Sequence, residues 1–216
     1  MATRETHERL LDIAIAEFGA KGLEGASTRG IAAAAGTAMS SITYHYGGKE
    51  GLYLAAADHI AETMAQDLGA KMVDEAEIAR ADPARARAML HQILGAFVDR
   101  MTAEKTEAWT LFIVREQTQP TAAFDRIYGG LMGQMMEHLV LLVQRATGLA
   151  DEERARAVTA TLIGQALVLR ASRAACLRLM RRPAMDAALA ARMKAQIADN
   201  SDAILDMLTA QAKEPA

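Results

Sequence analysis

Leu10, Leu11, Ala14, Ile15 and Phe18 fall at helical spacing, with Asp12 and Glu17 among the residues between them. Such a stripe lets one side of a helix turn away from water. It predicts a first helix over about residues 6–21, with Gly22 in the usual place after a helix C-terminus. Ser27 or Thr28 then caps a short second helix over 28–35. Gly36 breaks it, and a third short helix follows over about 38–46. Gly47 and Gly48 turn the chain again, and a longer helix opens near Lys49.

Beyond that point the pattern is long helices with short joints. One covers about residues 50–80. Asp82 and Pro83 restart a second, to about residue 101, because proline suits the first turn of a helix. A third covers about 105–117, and Pro120 stops it. A fourth runs over 121–147 and ends at Gly148. The acidic turn "ADEERARAV" complements a helix dipole and opens a helix to about residue 180. Pro183 opens the last, to about residue 210, and the tail "AKEPA" is expected to be disordered. No stretch alternates Val, Ile and Thr as a strand does. The expected fold class is all-α. A small helical unit over residues 1–48 precedes a larger helical bundle over residues 49–216.

Composition narrows the function classes. Hydrophobic residues make up 51% of the 216, enough for a sizeable core, and prolines number only 4. The one cysteine, Cys176, excludes an intrachain disulfide and a cysteine-based zinc site. No metal or cofactor is expected. The charged start and the shortness of the longest apolar run, "HLVLLV", predict a cytoplasmic protein with no membrane span. The net charge of −3 means that any nucleic-acid site must be local. No Glu-x-x-His, His-Glu-x-x-His, P-loop or G-x-G-x-x-G occurs, which speaks against a helical-bundle enzyme. Cys176 lies mid-helix among apolar neighbours, the setting of a structural thiol.

The segment "STRGIAAAAGTAMSSITYHY" has the spacing of a helix-turn-helix. Ala32 lies four residues before Gly36 and Ile42 six after it. The first position must be small where the two helices cross. The turn favours glycine, whose backbone can go left-handed. The isoleucine anchors the second helix, and Ile31 and Ala35 complete the inner face. A plain helical hairpin has the same minimal pattern, so the flanking residues decide.

Those residues resemble the TetR family of transcriptional regulators. The match runs through Ser27, Thr28, Ile31, Ala32, Ala35, Gly36, Ile42, His45, Tyr46, Lys49, Glu50 and Leu52, and covers about the first 55 residues. Ala38, Ser40 and Thr43 depart from the family's usual Ser, Gly and Tyr. "ITYHYGGKEGLY" and "VREQTQPTAAFDRIY" resemble the CecR-like subgroup. The resemblance implies a helix-turn-helix DNA-binding domain over residues 1–48 and a helical ligand-binding and dimerisation domain over residues 49–216. The regulator would be a repressor, released from a palindromic double-stranded operator by a small hydrophobic effector. A helical-bundle enzyme, or an adaptor without DNA binding, is the alternative.

Residue roles follow from the resemblance. Ser27, Thr28 and Arg29 sit where the family contacts phosphate and base. Met39, Ser40 and Ser41 would point into the major groove, where apolar contact with thymine methyls is available. Thr43 and Tyr44 come late on the recognition helix, within reach of phosphate oxygens. His45 packs or contacts phosphate. Lys49, with the free amides of its helix start, makes an anion site. Residues 1–59 carry five Lys or Arg against seven Asp or Glu, so affinity would rest on few charges and on dimer avidity.

In the larger domain, Val158, Leu162, Ala166 and Leu169 form one stripe, and Ile197, Ile204, Leu205 and Leu208 another. Two such helices per subunit would build the interface of a homodimer. Gly129, Gly130 and Gly133 crowd into one expected helix, where each costs about 1 kcal/mol against alanine. Met132, Met135 and Met136 lie beside them, and methionine adapts to irregular apolar surfaces. With Trp109, Phe112, Arg115, Glu116 and Gln117 they resemble an effector pocket with polar selectors. A Met-rich core is the alternative.

Overall fold

The structure is a computed structural model that describes residues 2–68 and 74–213. Among them every regular element is helical: α1 (Ala2–Gly25), α2 (Thr28–Ala35), α3 (Met39–Tyr46), α4 (Lys49–Leu68), α5 (Glu75–Arg80), α6 (Pro83–Thr102), α7 (Glu107–Thr118), α8 (Ala122–Ile127), α9 (Gly133–Thr147), α10 (Glu152–Ala171), α11 (Arg173–Leu179) and α12 (Ala187–Lys213). A single 3-10 turn precedes α7 and a π-helical stretch, Tyr128–Met132, joins α8 to α9. The all-α expectation therefore stands.

Side chains with oxygen acceptors set many of the starts. Asp82 Oδ1 accepts from Arg85 N at 2.7 Å, with Pro83 at the first helical position. Asp151 Oδ1 accepts from Arg154 N at 3.1 Å. Thr121 Oγ1 accepts from Ala123 N at 3.1 Å. Each fills a donor that the helix cannot satisfy itself.

Five boundaries differ from the sequence expectation. α1 does not stop at Lys21. It breaks at Gly22, at φ 73° and ψ 175°, and then continues to Gly25. The expected helix over 50–80 is two: α4 ends at Leu68 and α5 starts after its cap Asp74, with residues 69–73 outside the described residues. The expected helix over 121–147 is interrupted, because Gly130 at φ −87° and ψ −143° is not helical. The helix from "ADEERARAV" ends at Ala171, since Ser172 leaves helical geometry. The last helix begins at Ala187, not at Pro183, because the capping side chain is Asp186, whose Oδ1 accepts from Leu189 N at 2.8 Å. Of the tail, Ala212 and Lys213 are helical and residues 214–216 lie outside the described residues.

The chain divides into two compact units that are not contiguous in sequence. The first joins Met1–Lys71 with Lys105–Gly133, and so holds α1–α4, α7, α8 and the π-helical stretch. Its core is built on Phe18, Ile31, Ile42, Leu52, Ile60, Phe112 and Ile127, all fully buried. Tyr53 lies at its centre, edge-on to Phe18 (centroids 4.9 Å apart) and stacked on Phe112 (4.6 Å). Such pairs favour offset and edge-to-face contact beyond their buried area.

The second unit joins Met72–Glu104 with Gln134–Ala216. Its core takes Leu90 and Leu94 from α6, Leu139, Leu142 and Val143 from α9, Leu162 from α10 and Leu205 from α12. A second cluster gathers Val98, Met101, Ala166, Leu169 and Ile197. Arg87 Nη1 donates to Asp202 Oδ1 at 3.0 Å, and His91 Nε2 lies 2.8 Å from the same oxygen, tying α6 to α12.

Two predictions follow from these ends and ties. α3 begins after Ala38, whose backbone is extended (φ −75°, ψ 143°) and which offers no side-chain cap. Ala38→Ser restores an acceptor there and stabilises the first unit by about 1 kcal/mol, read as a higher urea midpoint. The hydrogen bond from His91 holds the Asp202 carboxyl below the usual aspartate range, against a smaller desolvation that pushes it up. Its contribution is complete above the ordinary value of 3.8 and is lost as pH falls through the depressed folded value. For so exposed a group the amount is roughly 0–1 kcal/mol. Asp202→Asn therefore flattens the acid limb of the stability–pH curve and barely moves stability once pH is below the depressed folded value.

Candidate nucleic-acid interface

The α2–α3 pair is joined by a turn with a specific hydrogen-bond signature. Gly36 sits in the left-handed region (φ 70°, ψ 29°). Its N–H donates to Ala33 O at 3.2 Å, and Thr37 N donates to Ala32 O at 2.9 Å. These are the paired bonds that end a helix on a left-handed residue and redirect the chain. An L side chain is strained at that φ, so glycine is the residue that serves. Ser27 Oγ accepts from Gly30 N at 3.1 Å and caps α2, which resolves the Ser27-or-Thr28 choice for the cap.

Ile31, Ala32 and Ala35 of α2 and Ile42 of α3 are buried, and Leu52 of α4 closes the same core. The opposite face of α3 is left to water. Met39 is 46% exposed and Tyr44 84% exposed, an unusual state for large apolar and aromatic side chains. Ser40, Thr43 and His45 are exposed beside them, and Ser41 is half-buried. At the start of α2, Arg29 is exposed and Thr28 half-buried. The Tyr44 ring meets His45 edge-on, with centroids 5.0 Å apart. The arrangement is a short helix anchored by one isoleucine, presenting hydroxyls, a thioether and a phenol outward.

Two contacts fix the rim of this surface. Tyr46 is half-buried, and its hydroxyl lies 3.0 Å from Nδ1 of His7 on α1, with the rings stacked 5.5 Å apart. Burial raises the Tyr46 pKa, so its hydroxyl keeps its proton at neutral pH. Lys49 Nζ donates to Glu24 O at 2.9 Å, which leaves the ammonium two further donors. His7 was not singled out from the sequence. The clue was a lone histidine in the first turns of α1 and a tyrosine at the end of α3, and nothing in the sequence pairs residues so far apart.

The residues expected at an effector pocket divide between the two units. Trp109, Phe112, Arg115, Glu116, Gln117 and Met132 belong to the first, and Met135 and Met136, both half-buried, to the second. Phe112 is fully buried against Tyr53. Glu116 is 1% exposed, and both its oxygens have partners within the chain. Tyr53 Oη donates to Oε1 at 2.6 Å, while Thr121 N and Oγ1 donate to Oε2 at 3.0 and 2.9 Å. Burial, then the Glu116 hydrogen bond, pushes the Tyr53 pKa far up. Arg115 donates to the carbonyls of Gly19 and Ala20. Gln117 is exposed and Trp109 half-buried. Gly133 is close-packed, since a Cβ there would stand 2.5 Å from Tyr128 O, whereas Gly129 has open space.

The residues expected at a dimer interface lie mostly inside the second unit. Leu162, Ala166, Leu169, Ile197, Leu205 and Leu208 are buried there, and Val158 and Ile204 are half-buried against its core. The exposed side of α10 instead carries Ala157, Ala160, Gly164 and Val168, and that of α12 carries Ala203 and Met207.

Among the described residues no helix is long and apolar enough to cross a membrane. Comparison with known proteins identifies both parts of the chain. Residues 10–56 match the family model "Bacterial regulatory proteins, tetR family". Residues 86–208 match "HTH-type transcriptional dual regulator CecR, C-terminal domain". The HTH-type transcriptional dual regulator CecR of Shigella flexneri is 34% identical over 171 residues, which cover 77% of this chain and 76% of that protein. The fold is shared with HlyIIR, a hemolysin II transcriptional regulator, at a TM-score of 0.57 and 18% identity over 89% of this chain and 97% of that one. A TetR-like transcriptional regulator from Rhodococcus sp. RHA1 superposes with a TM-score of 0.57 at 16% identity, over 96% of this chain and 93% of that one. These relatives are regulators and not enzymes. With its exposed α3 face mounted on a glycine turn, this chain belongs to the TetR family of DNA-binding transcriptional regulators, in the CecR-like branch.

Proposed function

We propose that this regulator is a cytoplasmic homodimeric repressor that binds a palindromic operator through α3 and leaves it when a small apolar molecule occupies the residues beyond 48. The observation that carries the DNA reading is the outward face of α3, where Met39 and Tyr44 stay in water while Ile42 is the residue of α3 that is buried. Residues 1–48 act as the DNA-binding domain, and residues 49–216 bind the effector and dimerise.

Arg29 and Lys49, with Ser27, Thr28, Thr43, Tyr44 and His45, contact the phosphate backbone. Met39, Ser40 and Ser41 face base edges. The local charge is low, so two half-sites bound together supply much of the affinity. The relative's name, dual regulator, favours a second reading in which the same protein also activates at another promoter.

The effector reading is supported by the π-helical stretch, a feature frequent at functional sites, and by the half-buried Met135 and Met136. Trp109 is the one tryptophan of the chain, so its emission reports occupancy. The dimer reading places the exposed small-residue side of α10, with α12, against its copy. Small residues let helix backbones approach closely, and the buried leucines serve each subunit's own core.

The binding test is selection from a random duplex library. Wild-type protein should enrich a palindrome with half-sites about one helical turn, or a multiple, apart. Arg29→Ala should weaken binding to all duplexes and reduce the salt slope by about one unit, while Met39→Ala should alter sequence preference with the slope intact. A library that yields no palindrome overturns the proposal.

The assembly test uses Gly164, where a Cβ would meet nothing within 4 Å. Gly164→Leu should leave the subunit folded and halve the sedimenting mass. Leu162→Ala, in the core, should instead cost about 2–5 kcal/mol of stability. A fully dimeric Gly164→Leu protein moves the interface elsewhere.

A further inference from the structure

The C-terminal family model starts at residue 86, yet α7 and α8, which lie inside it, belong to the compact unit that holds the helix-turn-helix. The end of α7 is therefore the place where that C-terminal domain grips the DNA-binding domain within one unit. Two consecutive residues there make the grip. Arg115 Nη2 donates to Gly19 O at 3.3 Å and to Ala20 O at 3.2 Å, and its Nε reaches Gly19 O at 3.4 Å. These carbonyls precede the Gly22 break in α1. The guanidinium is seated in that break, since a Cβ on Gly22 would come within 3.0 Å of Arg115 Nη1. α1 and α7 are in backbone contact just before it, where a Cβ on Gly19 would stand 2.7 Å from Ala108 O.

The break sets the course of the chain into α2. Ala26 N donates back to Gly22 O at 3.2 Å, and Ser27, the cap of α2, follows at once. Glu116 holds the other side. Its buried carboxyl group takes the Tyr53 hydroxyl of α4 at 2.6 Å and the N-cap residue of α8. α1 leads into the helix-turn-helix and α4 leads out of it, so the pair clamps both of its supports.

We propose that Arg115 and Glu116 are positioning residues for DNA binding, which fix the α1 break and α4 so that α3 is presented in its binding pose. Neither touches DNA. Arg115 acts on α2 and α3 through the carbonyls at the break, and Glu116 acts through Tyr53. This rests on the family's DNA binding and not on the identity of the effector.

The experiment compares Arg115→Met, Arg115→Lys and Tyr53→Phe with wild type on the duplex that wild type enriches from a random library. Arg115→Met should keep its helix content and mass but lose about tenfold or more in affinity, with an unchanged salt slope, because no phosphate contact is removed. Amide hydrogen exchange over residues 22–28 should quicken. Arg115→Lys should recover part of the affinity, since an ammonium can still donate to both carbonyls. Tyr53→Phe keeps the ring stack, and should weaken binding about fivefold with the same slope.

Wild-type affinity in a folded Arg115→Met protein overturns the inference. So does a slope reduced by about one unit, which would make Arg115 a phosphate contact. If Arg115→Met fails to fold, Tyr53→Phe decides, and a folded Tyr53→Phe protein with wild-type affinity overturns it. A wild-type protein that shifts no duplex removes the DNA reading and this inference together, an outcome distinct from normal binding by the variants.

Discussion

The first unit is organised around a carboxyl group kept out of water. Glu116 lies between α4, α7 and α8. Such a group costs several kcal/mol to bury unless its oxygens find donors. Here one oxygen takes the Tyr53 hydroxyl and the other takes a backbone amide and a hydroxyl from Thr121. The arrangement is satisfied only when the three helices hold one relative position. Apolar packing of Phe18, Tyr53 and Phe112 supplies the bulk of the stability, but it tolerates sliding. The buried polar contacts do not, because a small displacement leaves a donor or acceptor unpaired. A short three-helix reader with a small core needs such a fixed mount, and α4 and α7 provide it.

The reader itself is sparse. α3 presents two hydroxyls, a thioether, a phenol and an imidazole, and its neighbourhood carries few cations. A reader with little charge has a shallow salt dependence per subunit. Coupling two of them in the proposed dimer would multiply affinity without adding a contact. Modest per-subunit binding would also bring the proposed release within reach of a small change in pose.

Much of this was legible in the sequence, and the parts that were not share a physical reason. The helix-turn-helix was readable because local rules write it: a left-handed glycine, small residues at the crossing and an isoleucine anchor all lie within sixteen residues. The long helices were readable from their stripes and caps. On sequence alone Arg115 and Glu116 resemble selectors in a pocket, since a charged pair at a helix end looks the same whether it faces a ligand or a distant backbone. Their partners, Gly19, Ala20 and Tyr53, lie more than sixty residues away. Gly129, Gly130 and Gly133 would be costly in a helix. The cost was avoided by abandoning the helix at Gly130 and by packing Gly133 against Tyr128.

The α10 and α12 stripes show the same limit from the other side. Periodicity marks the face of a helix with the largest apolar side chains, and in α10 that face is Leu162, Ala166 and Leu169, spent on the subunit's own core. In the proposed dimer such a helix must also meet a second copy, and it has only its remaining face to offer. In α10 that remaining face includes Ala157, Ala160, Gly164 and Val168, whose small side chains make a weaker stripe than the leucines do. Val168 on α10 and Met207 on α12 stand 42% and 49% exposed. A stripe of leucines thus tells where a helix packs first. The place where it packs next is marked by what is missing: bulk, which would hold backbones apart, and charge, which would have to be desolvated.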